Sequence, residues 1–153
     1  MKAPEVLSVP RSAGRALSVV VTSVSSDSHT WNLVFLQLTL EELGHHVLNL
    51  GACVPDELLI GECLRIRPDL VVVSSVNGHG FLDGTRLIRR IRACPEVASV
   101  PVVIGGKLGI TGRGGQRSSD LLRAAGFDAV FDEGGGLARF RAFLEQLTAS
   151  VAP

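Results

Sequence analysis

Five short runs of aliphatic and β-branched residues recur along the chain, and a stretch of helical spacing follows each one. Leu17–Thr22 is apolar at nearly every position, the pattern of a strand buried on both faces. Trp31–Leu43 places Leu33, Leu36, Leu40 and Leu43 three or four residues apart. That spacing predicts a helix, and Gly44 supplies its stop. His46–Leu50 predicts a second strand. Val54-Pro55-Asp56 opens a second helix running to about Arg65, with Pro in its first turn. Leu70–Ser74 is a third strand, apolar until Ser74. Asp83–Arg92 is a third helix with Leu87, Ile88 and Ile91 on its inner side. Val100–Ile104 is a fourth strand ending in Gly105-Gly106, and Ser118–Ala125 is a helix closed by Gly126. Ala129–Phe131 is a short fifth strand, and Leu137–Leu147 is the last helix.

Strict alternation of strand and helix predicts an α/β domain with a five-stranded parallel sheet and helices on both faces. The flavodoxin-like strand order 2-1-3-4-5 is the common five-strand solution. One domain is expected over residues 15–150, because 153 residues suffice for one core. Residues 1–14 read as a flexible lead-in that mixes Pro, Ser and Lys. They lack the apolar segment of a signal peptide. No apolar run approaches the roughly 20 residues of a membrane span. Fifteen basic and fifteen acidic side chains cancel, so no electrostatic footprint for nucleic acid or an anionic membrane is visible. These features point to a cytoplasmic protein. Cys53, Cys63 and Cys94 lack metal-type spacing and read as reduced thiols.

In such a fold the loops after strands one, three, four and five gather at the carboxyl edge of the sheet, where ligands bind. This chain puts Ser25-Ser26-Asp27-Ser28-His29-Thr30-Trp31-Asn32 there after the first strand. Ser74-Ser75-Val76-Asn77-Gly78-His79-Gly80 follows the third. Gly105-Gly106-Lys107-Leu108-Gly109 follows the fourth, and Asp132-Glu133-Gly134-Gly135-Gly136 the fifth. Such Gly- and Ser-rich loops let a large ligand approach the backbone. Asp27 two residues before His29 can hold one imidazole nitrogen and leave the other to a metal. Read alone, the same pair is also a helix N-cap beside a surface histidine. His45 and His46 read as solvated turn residues, and the Arg86, Arg89, Arg90, Arg92 run as a solvated helix face. His79 has either a substrate-side or a packing role. Trp31 either joins the core or faces a partner or ligand. Arg113 and Arg117 flank glycines and could meet a partner or phosphate.

Asp27-x-His29, Ser74-x-Val76 and Gly105-Gly106 together resemble the signature D-x-H-x-x-G, S-x-L, G-G of cobalamin-binding domains. From about Leu17 to Leu147 the chain most resembles the small, cobalamin-binding subunit of glutamate mutase (methylaspartate mutase). The resemblance implies that His29 is the lower axial ligand of cobalt and displaces the cofactor's own dimethylbenzimidazole. Asp27 would orient its ring. The displaced nucleotide tail would enter a slot between the sheet and the first and last helices. Ser74 would meet the tail base, and Val76 would line the slot. Gly105 and Gly106 would let the ribose and phosphate pass close to strand four. Lys107, Leu108 and Gly109 would continue that wall, and Gly134 and Gly135 would lie near the tail. Ser26, Ser28, Thr30, Ser75 and Gly78 complete the implied cofactor-binding set. No catalytic residue is expected on this chain.

The chain departs from the signature at Asn32, where the family has Gly, and at Val76, where it has Leu. Lys107 stands where the mutase subunit often has Asn, and Glu133-Gly134-Gly135 where it has Pro-Gly-Thr. The implied role is that of the adenosylcobalamin-binding subunit of an isomerase. Its reaction would be a radical rearrangement interconverting an amino acid such as glutamate with 3-methylaspartate. A separate, larger TIM-barrel subunit would bind the small amino-acid substrate, in a heterotetramer. The alternative is a stand-alone cobalamin carrier or a sensor module serving another enzyme or a regulator; no DNA-binding helix-turn-helix is visible. Two other occupants of this fold fit less well. A phosphorylated receiver needs a carboxylate at the end of strand three, where Ser74 stands. A flavin site usually needs aromatic cover, and the chain has no Tyr and one Trp.

Overall fold

In a computed structural model of the chain, which describes residues 14–106, 115–131 and 136–150, the valine-rich runs divide their side chains between two apolar layers. Val20, Val71, Val73, Val102 and Ile104 face one layer; Val19, Val21, Leu70, Val72 and Val103 face the other. This two-sided burial explains why the runs are continuously apolar rather than alternating.

The elements follow in the expected order: β1 (Ser18–Ser23), α1 (Trp31–Glu42), β2 (His46–Asn49), α2 (Asp56–Ile66), β3 (Leu70–Ser75), α3 (Gly80–Ala93), β4 (Val102–Gly106), α4 (Gly115–Ala125), β5 (Ala129–Phe131) and α5 (Gly136–Ser150). All strand pairs are parallel, in the order β2-β1-β3-β4-β5. Helices α2, α3 and α4 cover the first layer through Leu59, Cys63, Leu87, Ile88, Ile91 and Leu122. Helices α1 and α5 cover the second through Leu33, Leu40, Phe140 and Leu144. Each such side chain contributes about 1.5–3 kcal/mol by leaving water.

Several boundaries differ from the sequence expectation for local reasons. The fourth strand starts at Val102, not Val100, because Val100 donates back to Val97 and Pro101 has no N–H for the ladder. It continues through Gly105 and Gly106, which stand opposite Ser74 and Ser75 of β3. Helix α3 begins at Gly80, three residues before Asp83, because the Asn77 Oδ1 accepts the His79 N–H and turns the chain into it. Pro55 is the N-cap of α2 rather than a helical residue.

One surface expectation is overturned. His45 is 5% exposed, not solvated: its Nδ1 accepts the Leu17 N–H at 3.1 Å. Burial and the neighbouring His46 both lower its pKa. Arg86, Arg89 and Arg90 of α3 are exposed as expected, but the arginine run also makes specific contacts. Arg92 donates to the Gly126, Ala98 and Val100 carbonyls and to Asp128, while Arg86 and Arg90 converge on the buried Asp56. The three cysteines are free thiols. No described helix is long and apolar enough to cross a membrane.

Candidate functional site

The carboxyl ends of β1 and β3 bring Asp27 and Val76 together across the top of the sheet. Asp27 is fully buried and accepts four hydrogen bonds. Its Oδ1 receives the His29 ring Nδ1 at 2.7 Å and the His29 amide at 2.9 Å. Its Oδ2 receives the amides of Val76 at 2.6 Å and Asn77 at 3.3 Å. Burial alone would raise the Asp27 carboxyl. The Val76 and His29 amides, with the His29 ring, outweigh that and hold it below its ordinary value. A carboxylate facing Nδ1 keeps the proton there and leaves the lone pair on Nε2. The His29 side chain is 56% exposed, so its ring can meet an incoming ligand.

The N-cap reading of this pair does not hold. Thr30 is the N-cap of α1 and makes no side-chain capping bond, and the Asp27 carboxylate turns to the β3–α3 loop instead. The Asp27 loop is tied down from below. The Ser26 hydroxyl donates to Asp83 and accepts from the Asn77 Nδ2 at 3.0 Å. Arg86 donates to the Ser25 hydroxyl at 2.8 Å and to the buried Asp56 at 2.9 Å. The Cys53 amide donates to the Asp27 carbonyl at 2.8 Å. Sequence reasoning missed Asn77, Asp83 and Arg86. The Asp83/Arg86 spacing of three within a helix was a usable signal; their reach to the β1–α1 loop was not.

Beside this pair, a cavity of about 400 Å³ lies between the sheet and helices α1 and α5. Asn32, Phe35 and Leu36 line it from α1, and Val72, Val73, Ser74 and Val76 from β3 and its following loop. Val103 to Gly106 line it from β4, and Phe131, Gly136, Leu137 and Phe140 from β5 and α5. The walls are mostly apolar, with Phe131 packed edge-on against Phe140. Ser74 and Asn32 are the polar side chains of this wall, and the Asn32 Nδ2 donates to the Ser74 Oγ.

The structure therefore brings together Asp27, His29, Asn32, Ser74, Val76, Gly105 and Gly106. Ser26 and Ser75 lie just below, Ser75 bonded to Asn77 at 3.3 Å. Ser28, Thr30 and Gly78 are exposed on the rim. Gly78 has φ +89°, which favours glycine in that turn. Gly106, at φ +107°, has a second reason to be glycine: a Cβ there would sit 2.2 Å from the Ser75 carbonyl oxygen. Trp31 lies on the surface at 81% exposure, and Val34, Phe35 and Leu38 continue its exposed side of α1. Lys107, Leu108, Gly109, Arg113, Gly134 and Gly135 lie outside the described residues.

The chain is 29% identical over 118 residues to the glutamate mutase sigma subunit of Fusobacterium nucleatum, covering 76% of this chain and 85% of that one. It is 36% identical over 83 residues to the HTH-type transcriptional repressor CarA of Myxococcus xanthus, covering 54% of this chain and 28% of the repressor. Its fold matches a cobalamin-binding protein from Desulfitobacterium hafniense with a TM-score of 0.66 at 18% identity, over 86% of this chain and 60% of that one. The B12 binding domain model matches residues 17–139, and the chain belongs to that family.

Proposed function

We propose that the chain is the adenosylcobalamin-binding subunit of a carbon-skeleton mutase of the glutamate mutase type. The observation that carries this reading is the His29 ring, held at Nδ1 by the buried Asp27, whose other oxygen takes the amide of Val76 on the wall of an apolar slot. The residues present fit a corrinoid. One imidazole with a free lone pair is what cobalt needs when the macrocycle supplies its other ligands. The slot of about 400 Å³, which Val76 shares with the Asp27 hydrogen bonds, has room for a displaced nucleotide tail. An unpaired, buried Asn32 Oδ1 on the slot wall awaits a hydrogen-bond donor.

In this reading His29 would be the protein's own ligand to cobalt in a base-off, His-on form, and Asp27 would fix its tautomer and ring orientation. Ser74 faces the tail base, and Val76 and Phe131 exclude water around it. Ser26 and Ser75 hold the loops of the site together through Asn77, with Ser28, Thr30 and Gly78 on the rim near the macrocycle. Gly105 and Gly106 let the tail pass close to β4. When bound, adenosylcobalamin supplies radical chemistry through cobalt–carbon homolysis. This chain binds and presents the cofactor. A larger TIM-barrel subunit binds the amino acid and completes the isomerase, in a heterotetramer in the cytoplasm. The similarity to glutamate mutase sigma subunits over most of both chains supports this over a carrier role. The shorter match to a transcriptional repressor supports a second reading, a module serving a regulator.

The test is a visible-absorption titration of the full chain with adenosyl- and hydroxocobalamin, beside His29→Ala. Binding with a base-off, nitrogen-ligated spectrum that His29→Ala loses is the expected result. An unchanged spectrum and affinity in His29→Ala would refute the ligand assignment.

A further inference from the structure

Asn32 occupies the signature position where the family has glycine, and its amide is only half used. Nδ2 donates to the Ser74 Oγ across the slot wall, at 2.5 Å. Oδ1 is buried and has no hydrogen-bond partner. Ser74 is itself buried, and among the described residues nothing accepts its hydroxyl hydrogen. The pair therefore leaves one donor and one acceptor side by side in a mostly apolar wall that includes Phe35, Val76, Phe131 and Phe140. Buried polar atoms are rarely left unpaired without a purpose, and polar groups in apolar pockets set ligand orientation.

We propose that Asn32 is a specificity-determining residue that positions Ser74 as a hydrogen-bond donor to the lower base of the corrinoid. Once Oγ accepts from Asn32, its own hydrogen is directed away from Asn32, and the slot favours a tail base that brings a ring nitrogen as acceptor. The Asn32 Oδ1 accepts from a donor on the same tail, such as a ribose hydroxyl. A benzimidazole or purine base meets this demand. A phenolic base has no ring nitrogen and leaves the Ser74 donor unmatched. This inference rests on the cobalamin reading above. The contrasting role for Asn32 is simple bulk, which narrows the slot and carries no polar function.

The test measures dissociation constants of two corrinoids, cobalamin and its phenolic-tail analogue, for the full chain and for Asn32→Leu, Asn32→Gly and Ser74→Ala. Circular dichroism verifies the fold of each variant. An unmade buried hydrogen bond weakens binding by roughly tenfold. Only cobalamin must lift its base off cobalt to bind, so the parent's ratio of the two constants is read against the ratios of the variants and should exceed that of Ser74→Ala by about that factor. Asn32→Leu keeps the bulk, and Asn32→Gly removes it. Both should weaken cobalamin binding and shift the ratio toward that of Ser74→Ala. Tighter binding by Asn32→Gly with Asn32→Leu at parent affinity would make Asn32 mere bulk and overturn the inference. A ratio that is the same in the parent, Asn32→Leu and Ser74→Ala would also overturn it while leaving the cobalamin reading intact. No binding of either corrinoid by the parent would overturn both. The selectivity ratio is the readout that a purely structural role would not move.

Discussion

Replacing Asp27 by Asn keeps the shape of the side chain and inverts half of its hydrogen-bonding character. The native carboxylate is an acceptor on both oxygens, and it meets four N–H groups at 2.6–3.3 Å while fully buried. An Asn there can turn its oxygen toward Val76 and Asn77, but its NH2 then faces the amide and ring of His29. The His29 amide loses its acceptor. The ring is satisfied only by moving its proton from Nδ1 to Nε2, so that Nδ1 accepts from the new NH2. A hydrogen bond to a charged group is worth about 1.5–3 kcal/mol, and a neutral replacement keeps roughly half. With two bonds weakened, one lost and one reversed, Asp27→Asn should cost about 2–4 kcal/mol of stability. Urea denaturation measures that loss. Nitrogen-15 NMR of the His29 ring reads the tautomer directly, with no cofactor present. The Nδ1–H form is expected in the parent and the Nε2–H form in Asp27→Asn. A proton on Nε2 blocks the atom offered to metal, so the variant should also bind cobalamin weakly. Stability within about 0.5 kcal/mol of the parent, together with an unchanged tautomer, would refute this reasoning.

Other perturbations test the frame around the site. Gly106→Ala sets a Cβ 2.2 Å from the Ser75 carbonyl oxygen at φ +107°, so it should lose more than about 3 kcal/mol in urea denaturation. His45 has its pKa lowered by burial, so the unfolded chain takes up the proton first as pH falls. Its contribution is complete above the ordinary imidazole value, about pH 6.5, and is lost as pH drops from there through the lower folded pKa. His45→Asn, whose Oδ1 can replace Nδ1 as acceptor for Leu17, should flatten the stability profile below that pH. Arg92→Ala should cost about 2 kcal/mol, because the guanidinium serves three carbonyls and Asp128. Arg92→Lys should recover less than half, since an ammonium cannot reproduce the fork, and thermal melting compares the two.

The sheet was legible because its strands are buried on both faces, so Val19 to Val21 and Val71 to Val73 advertise themselves without regard to loops. Strand order was expected as the common five-strand solution for such alternation, and the sheet has it. The ends of elements were less legible. Pro101 delays β4 through a missing N–H, and an Asn77 turn starts α3 early; neither effect has a periodic trace. At the site, Asp27 and His29 could be paired on paper because they are two residues apart. The Asp27 bonds to Val76 and Asn77 could not, since they span about fifty positions of chain. His45 was misjudged because a turn histidine is usually wet. Here the turn after α1 tucks it against the start of β1, where Leu17 supplies its partner. Asn32 stood out as a departure from the signature, but its bond to Ser74 needed the three-dimensional register of α1 against β3.

Electron paramagnetic resonance of the bound cob(II)alamin form, with the chain carrying ¹⁵N-labelled histidine, tests the axial role of His29 most directly. The axial nitrogen splits each cobalt line into three if it is ¹⁴N and into two if it is ¹⁵N. Doublets with labelled protein, absent in His29→Ala, are the predicted outcome. Triplets that persist with labelled protein would mean that the cofactor keeps its own base on cobalt, and would contradict His29 as the ligand.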